Sequence, residues 1–127
     1  MLFRSWEKFF VAYPIKTLIE FGTGYGGLTL YFGLKCRETG AKFYTYDNVT
    51  STDFGMPIEI ELGLANSYEC VDIFSDAAMQ KIGQIISTCE KPLAIFFDNG
   101  NKPREWSIYA PLTKPGDFCI VDRKSVV

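Results

Sequence analysis

Short apolar or β-branched runs alternate along the chain with longer stretches whose apolar positions recur at helical spacing. Ser5 to Ala12 is aromatic-rich and predicts a helix that stops ahead of Pro14, because the residue before a proline avoids the helical region. Thr17 to Phe21 (TLIEF) predicts a first strand. Gly27 to Glu38 (GLTLYFGLKCRE) is apolar almost all round until Lys35, which predicts a helix packed deep against a sheet and ended by Thr39 and Gly40. Lys42 to Tyr46 (KFYTY) predicts a second strand, closed by Asp47 and Asn48. A polar loop from Asn48 to Gly55 leads to a predicted helix from Pro57 to Leu64, with proline in its first turn. Tyr68 to Val71 predicts a short third strand. Ser75 to Thr88 has a capping start and apolar Met79, Ile82, Ile85 and Ile86, the pattern of an amphipathic helix. Pro92 to Phe97 (PLAIFF) is a continuous apolar run, as in a central parallel strand buried on both faces. Pro103 to Thr113 predicts a further helix, the stretch from Lys114 to Asp117 a turn, and Phe118 to Val121 a fifth strand ending at Asp122.

Strands alternating with helices pair in parallel through right-handed crossovers. The expected fold is therefore a three-layer α/β/α Rossmann-like sandwich with strand order 3-2-1-4-5, formed by one domain over residues 1–127. The composition agrees: 47% hydrophobic and 16% aromatic residues suit a packed core, and 22% charged residues of both signs are too few for disorder. A net charge of −2 with scattered lysines and arginines gives no electrostatic footprint for nucleic acid. Cys36, Cys70, Cys89 and Cys119 lie far apart and no histidine accompanies them, so the expectation is reduced thiols in a cytoplasmic protein rather than a zinc site. The opening residues, broken by Arg4, Glu7 and Lys8, read as neither a secretory signal nor a membrane span.

In open α/β sheets ligands bind beyond the carboxyl ends of the strands, which here means Glu20 to Gly27, Asp47, Asp72, Asp98 and Asp122. The stretch IEFGTGYGG satisfies two fingerprints. Gly22, Gly24 and Gly27 spell the dinucleotide pattern G-x-G-x-x-G, whereas Gly22, Gly24 and Gly26 spell the G-x-G-x-G loop of methyltransferases. Glu20, two residues before the first glycine, separates the two: a carboxylate there repels a pyrophosphate and attracts the ammonium and sulfonium of S-adenosylmethionine. That cofactor's own carboxylate can still be received by the helix amino end. Asp47 ends the second strand where an acid takes ribose hydroxyls, which fits an adenosine ligand of either kind.

EFGTGYGG together with Asp47 resembles motif I and the following acidic position of the class I S-adenosylmethionine-dependent methyltransferases. The resemblance runs on through FFDNGNKPREW and APLTKPGDFCIVD. It looks closest to the small-molecule O-methyltransferase group that includes the cephalosporin hydroxylase and rhamnosyl O-methyltransferase relatives. It implies that Glu20, Gly22, Thr23, Gly24, Tyr25 and Gly26 surround the methionine moiety and Asp47 holds the ribose. Asp72 and Ile73 would meet adenine, the acid accepting from the exocyclic amine and the backbone amide meeting a ring nitrogen. Asp98 would face the methyl group and its small-molecule acceptor.

Catalysis needs alignment and a base or a metal. Without histidine, Asp98 and Lys102 are the candidate catalytic residues, and Asn101 stands where the resembled group often has histidine. Asp98 and Asp122 are candidate ligands for Mg²⁺, although Arg123 follows where a further acid would help. Trp6, Tyr13 and Trp106 are either pocket or core. The chain ends soon after the fifth strand, short of the terminal strands usual in the class, so either it is a fragment or it forms a homodimer through that strand's edge. Two other readings stay open: a cofactor-binding remnant without catalysis, and an NAD-dependent oxidoreductase.

Overall fold

The computed structural model describes residues 2–22, 27–47, 65 and 67–121. In chain order these form α1 (Leu2–Ala12), β1 (Thr17–Phe21), α2 (Gly27–Thr39), β2 (Lys42–Asp47), β3 (Ser67–Cys70), α3 (Asp76–Thr88), β4 (Leu93–Phe97), α4 (Lys102–Tyr109), a 3₁₀ turn (Ala110–Leu112) and β5 (Phe118–Val121). The strands make one sheet in the order β3-β2-β1-β4-β5, every neighbouring pair parallel. That is the Rossmann-like arrangement expected from the sequence. The helix expected from Pro57 to Leu64 lies outside the described residues.

Side chains alternate across the sheet, so each strand feeds two cores. On one face Leu18, Phe43, Ala94 and Phe96 pack against Trp6 and Phe10 of α1 and Phe32 and Cys36 of α2. Ile19, Phe21, Tyr46, Ile95 and Phe97 point the other way, toward Ile82 and Ile86 of α3 and Tyr109 of α4. β1 and β4 are buried at every position. Each fully buried Leu, Ile or Phe there contributes roughly 1.5–3 kcal/mol. Trp6 belongs to the core, edge-on to Phe32 at 4.7 Å and to Phe96 at 5.3 Å between ring centroids. Tyr13 and Trp106 are partly exposed and lean on Phe118 and Phe97.

Two expectations need correction. α2 is apolar nearly all round but buried on one side only: Thr29, Phe32 and Cys36 face the sheet, while Leu30 and Leu34 are 36% and 51% exposed. An outer-layer helix meets the sheet along a single stripe, whatever its composition. α4 is shorter than the span from Pro103 to Thr113, because Pro111 has no N–H to continue the ladder and the chain tightens into the 3₁₀ turn.

At the amino ends of the strands Asp117 closes the turn before β5. Its carboxylate accepts from the Lys91 ammonium at 3.0 Å and from the backbone N–H of Leu93 at 3.1 Å and Lys114 at 3.0 Å. Although burial opposes ionisation, these donors hold its carboxyl below the usual range. The shallow depression formed by Lys91, Pro92, Lys114 and Asp117 is thus a structural clasp at the end of the sheet away from the glycine loop.

Candidate cofactor site at the strand carboxyl ends

The centre of the site is the end of β1. Glu20 pairs across the sheet with Thr45 of β2 and Phe96 of β4, and its side chain is 1% exposed. The Glu20 Oε1 atom accepts two hydroxyl hydrogen bonds, from Thr29 of α2 at 2.6 Å and from Thr45 at 2.8 Å. Burial pushes the Glu20 carboxyl up to about 8. The two threonine donors pull it down, and the nearby Asp98 and Asp47 carboxylates push it further up. Among the described residues no lysine or arginine pairs with it.

Gly22 carries the chain out of β1. Its N–H donates to the Tyr46 carbonyl at 2.7 Å, and on the other side the Asp98 N–H donates to the Phe21 carbonyl at 2.8 Å. The backbone there has φ +109°, a left-handed conformation that favours glycine, and a Cβ at this position would fall 2.0 Å from the Asp98 carbonyl oxygen. Only glycine lets the exit of β1 pass so close to the exit of β4. Thr23, Gly24, Tyr25, Gly26 and Asp122 lie outside the described residues.

Asp47, 6% exposed, ends β2. Its carbonyl accepts the Val71 N–H at 2.8 Å, which brings the segment after β3 alongside. Asp72 is exposed and accepts the Phe74 N–H at 2.9 Å, a short side-chain-to-backbone turn. Ile73 is buried, 1% exposed, in the core below that turn.

Beyond β4, Asp98 is half-buried and ion-paired with Lys102 at 3.0 Å. Asn101 caps α4, its side chain accepting the Arg104 N–H at 3.3 Å. Glu105 is fully buried and reaches back with both oxygens, to the Asn99 N–H at 3.2 Å and the Asn101 N–H at 3.0 Å. The pair is a capping box with its acid one position late, at N4 instead of N3. Burial raises the Glu105 carboxyl, while the two backbone donors and Lys102 act against it and Asp98 adds to it.

Glu20, Gly22, Asp47 and Asp98 therefore converge at one edge of the sheet, with Asp72 and Ile73 at the neighbouring strand exit and Lys102 drawn in through Asp98. Thr29, Thr45 and Glu105 complete the site without being among the residues expected there. Thr29 was detectable as the lone polar residue in an apolar helical stretch, and Glu105 as a misplaced capping acid.

No protein-family model matches the sequence, and no curated protein matches it either. Solved structures do match. CmcI in its apo form superposes with a TM-score of 0.65 at 16% identity, over 91% of this chain and 48% of that one. CmcI with Mg-SAM gives a TM-score of 0.64 at 15% identity, over 93% and 50%. The fold is that of CmcI. The Rossmann-like architecture expected from the sequence is thus the one found, and the chain spans about half the length of the CmcI structures it matches. Among the described residues no helix is long and apolar enough to cross a membrane.

Proposed function

We propose that this chain binds S-adenosylmethionine at the carboxyl ends of β1, β2, β3 and β4 and transfers its methyl group to an oxygen of a small molecule. The observation that carries the reading is the convergence of three carboxyl groups at one end of the sheet. Glu20, Asp47 and Asp98 lie within electrostatic reach of one another, and Lys102 is ion-paired with Asp98. Carboxyl groups placed so favour a cationic ligand, whose arrival promotes ionisation of Glu20, and disfavour the pyrophosphate of NAD. The CmcI likeness supports the same choice, since one of the matching structures is CmcI with Mg-SAM.

S-adenosylmethionine supplies an electrophilic methyl on a sulfonium whose charge is lost in an in-line displacement. Glu20 and the Gly22 turn would hold the methionine moiety, Asp47 the ribose, and Asp72 with the Ile73 amide the adenine edge. Asp98 would orient the acceptor hydroxyl and take its proton as the methyl moves to oxygen and S-adenosylhomocysteine leaves, and Lys102 would hold Asp98. Alignment of this kind is the main contribution a protein makes to such a reaction. Asp98 and Asp122 would be the ligands of a Mg²⁺ ion; Asp122 lies outside the described residues, and Asp98 is ion-paired with Lys102. No step is routed through a metal.

Calorimetric titration with S-adenosylmethionine, S-adenosylhomocysteine and NAD tests the reading. Binding of the first two without NAD is the expected result, and binding of NAD alone, or of none, overturns it. The engaged state of Asp98 favours one second reading, a cofactor-binding protein without catalysis. Asp98→Asn separates the two, removing methyl transfer in an enzyme and changing nothing measurable in a non-catalytic binder.

A further inference from the structure

Helix α4 touches both ends of the candidate cofactor site. Its first turn holds the loop after β4 through Glu105, as described above. Its last residue, Tyr109, is fully buried beside Phe21, with ring centroids 4.8 Å apart, and donates its hydroxyl to the carbonyl of Ile73. Midway, the Arg104 guanidinium lies 4.0 Å over the ring of Phe74. The turn from Asp72 to Ser75 is thus gripped from α4 at Ile73 and Phe74. Locally it is closed by the Phe74 N–H on Asp72 Oδ1 at 2.9 Å and the Ser75 N–H on the Asp72 carbonyl at 3.0 Å. Burial, with the Asp72 carboxylate adding to it, pushes the Tyr109 phenol up to about 12, so the hydroxyl remains a donor at ordinary pH.

We propose that Tyr109 is a positioning residue for base recognition: by fixing the Ile73 carbonyl it sets the Asp72 carboxylate and the Ile73 amide at the spacing that reads adenine. This rests on the cofactor reading above and extends it to a residue outside the site. A peptide plane has one orientation, so holding the carbonyl of Ile73 fixes the Phe74 N–H and the Asp72 carboxylate it donates to, while the Ser75 N–H on the Asp72 carbonyl fixes the preceding plane, which carries the Ile73 N–H. Arg104 supports the same turn from the solvent side through Phe74. Because Glu105 and Tyr109 stand on one helix, the turn at the adenine end and the loop carrying Asp98 are held at a fixed separation.

The test is calorimetric titration of the wild type and Tyr109→Phe with S-adenosylhomocysteine and with S-inosylhomocysteine. The second ligand carries hypoxanthine, which reverses the donor and acceptor at the two positions read. Phenylalanine keeps the ring packed on Phe21 and removes only the hydroxyl. The expected result is an adenine preference in the wild type that falls about fivefold in Tyr109→Phe, the worth of one hydrogen bond. Equal weakening of both ligands, or an unchanged preference, overturns the inference while leaving the cofactor reading intact. Binding of neither ligand by the wild type overturns both. Arg104→Gln, on the exposed face of α4, gives a second arm should Tyr109→Phe fail to fold. It is expected to lower the same preference about twofold, and an unchanged preference counts against the proposal.

Discussion

Replacing Glu20 by glutamine should make the protein more stable at alkaline pH and leave it nearly unchanged near pH 5. In the folded chain the Glu20 carboxyl is raised to about 8 by burial, against its ordinary value of 4.5. Between those values the folded state keeps a proton that the unfolded state has released, so stability falls as pH rises, by about 1.4 kcal/mol per unit well below pH 8. Integrated from pH 6 to 8 this is about 2 kcal/mol, a sizeable share of the 5–15 kcal/mol typical of a whole domain. Glutamine carries no titrating proton and keeps a carbonyl oxygen for the Thr29 and Thr45 hydroxyls, which are now 2.6 and 2.8 Å from Glu20. Thermal unfolding of both proteins from pH 5 to 9 should show the wild-type Tm falling by roughly 5–10 °C more than that of Glu20→Gln between pH 6 and 8. Glu105 is raised in the same direction, so some slope persists in the variant and the difference between the curves is the quantity to read. Parallel curves would refute the reasoning and mean that Glu20 is ionised in the folded protein throughout.

Gly22→Ala should cost more than about 4 kcal/mol, since a Cβ would collide with the Asp98 backbone, whereas Gly40→Ala, at φ +82° with open space around it, should cost about 1–2 kcal/mol. Similar midpoints for the two in urea unfolding would contradict the close approach of β1 and β4. Glu105→Gln should lose about 1–3 kcal/mol, because one of the two loop N–H donors then faces an amide NH₂; an unchanged urea midpoint would show that Glu105 does not hold the loop. Asp47→Ala should weaken S-adenosylhomocysteine binding by about ten- to a hundredfold, the range for losing a charged hydrogen-bond acceptor. Undiminished affinity in a titration would place the ribose elsewhere.

The elements that sequence reading located best are those with the strongest local punctuation. β1 and β5 run as expected, because glycine or acid ends each and an apolar run fills it. α3 begins at Asp76 with Ser75 as its cap, the Ser75 hydroxyl accepting the Ala78 N–H at 3.3 Å, which is what a serine ahead of an amphipathic pattern predicts. α4 was harder. Its start was signalled by Asn101 and Pro103, but its end is set by Pro111 inside a stretch that still looks helical by periodicity. The one-sided burial of α2 is invisible in its composition, since the sequence says how apolar a helix is and not how many neighbours it has.

The candidate site was legible where function rests on a single residue at a strand end and illegible where it rests on partnership. By sequence alone Glu20 is a carboxylate whose charge draws a cation. In the folded chain its burial, helped by its acidic neighbours and opposed by the two threonine donors, makes it a group that holds its proton near neutrality. A cationic ligand entering beside it would favour the ionised form, so the attraction inferred from sequence becomes an exchange, a proton released as the cation arrives. Burial is the main cause, and the groups that modulate it, Thr29, Thr45 and Asp98, stand 9, 25 and 78 positions from Glu20 along the chain. No local pattern connects them. Parallel pairing of β1 with β2 and β4 does, because it aligns Thr45 and the exit of β4 with the one acid of β1. The same logic applies to Tyr109, whose hydroxyl reaches Ile73 only because α3 and α4 lie on one face of the sheet. A titration of S-adenosylmethionine binding in buffers of different ionisation enthalpy, with Glu20→Gln beside the wild type, would measure the exchange directly. Release of close to one proton below pH 8 by the wild type and none by the variant is the expected outcome, and equal release by both would assign the proton to another group.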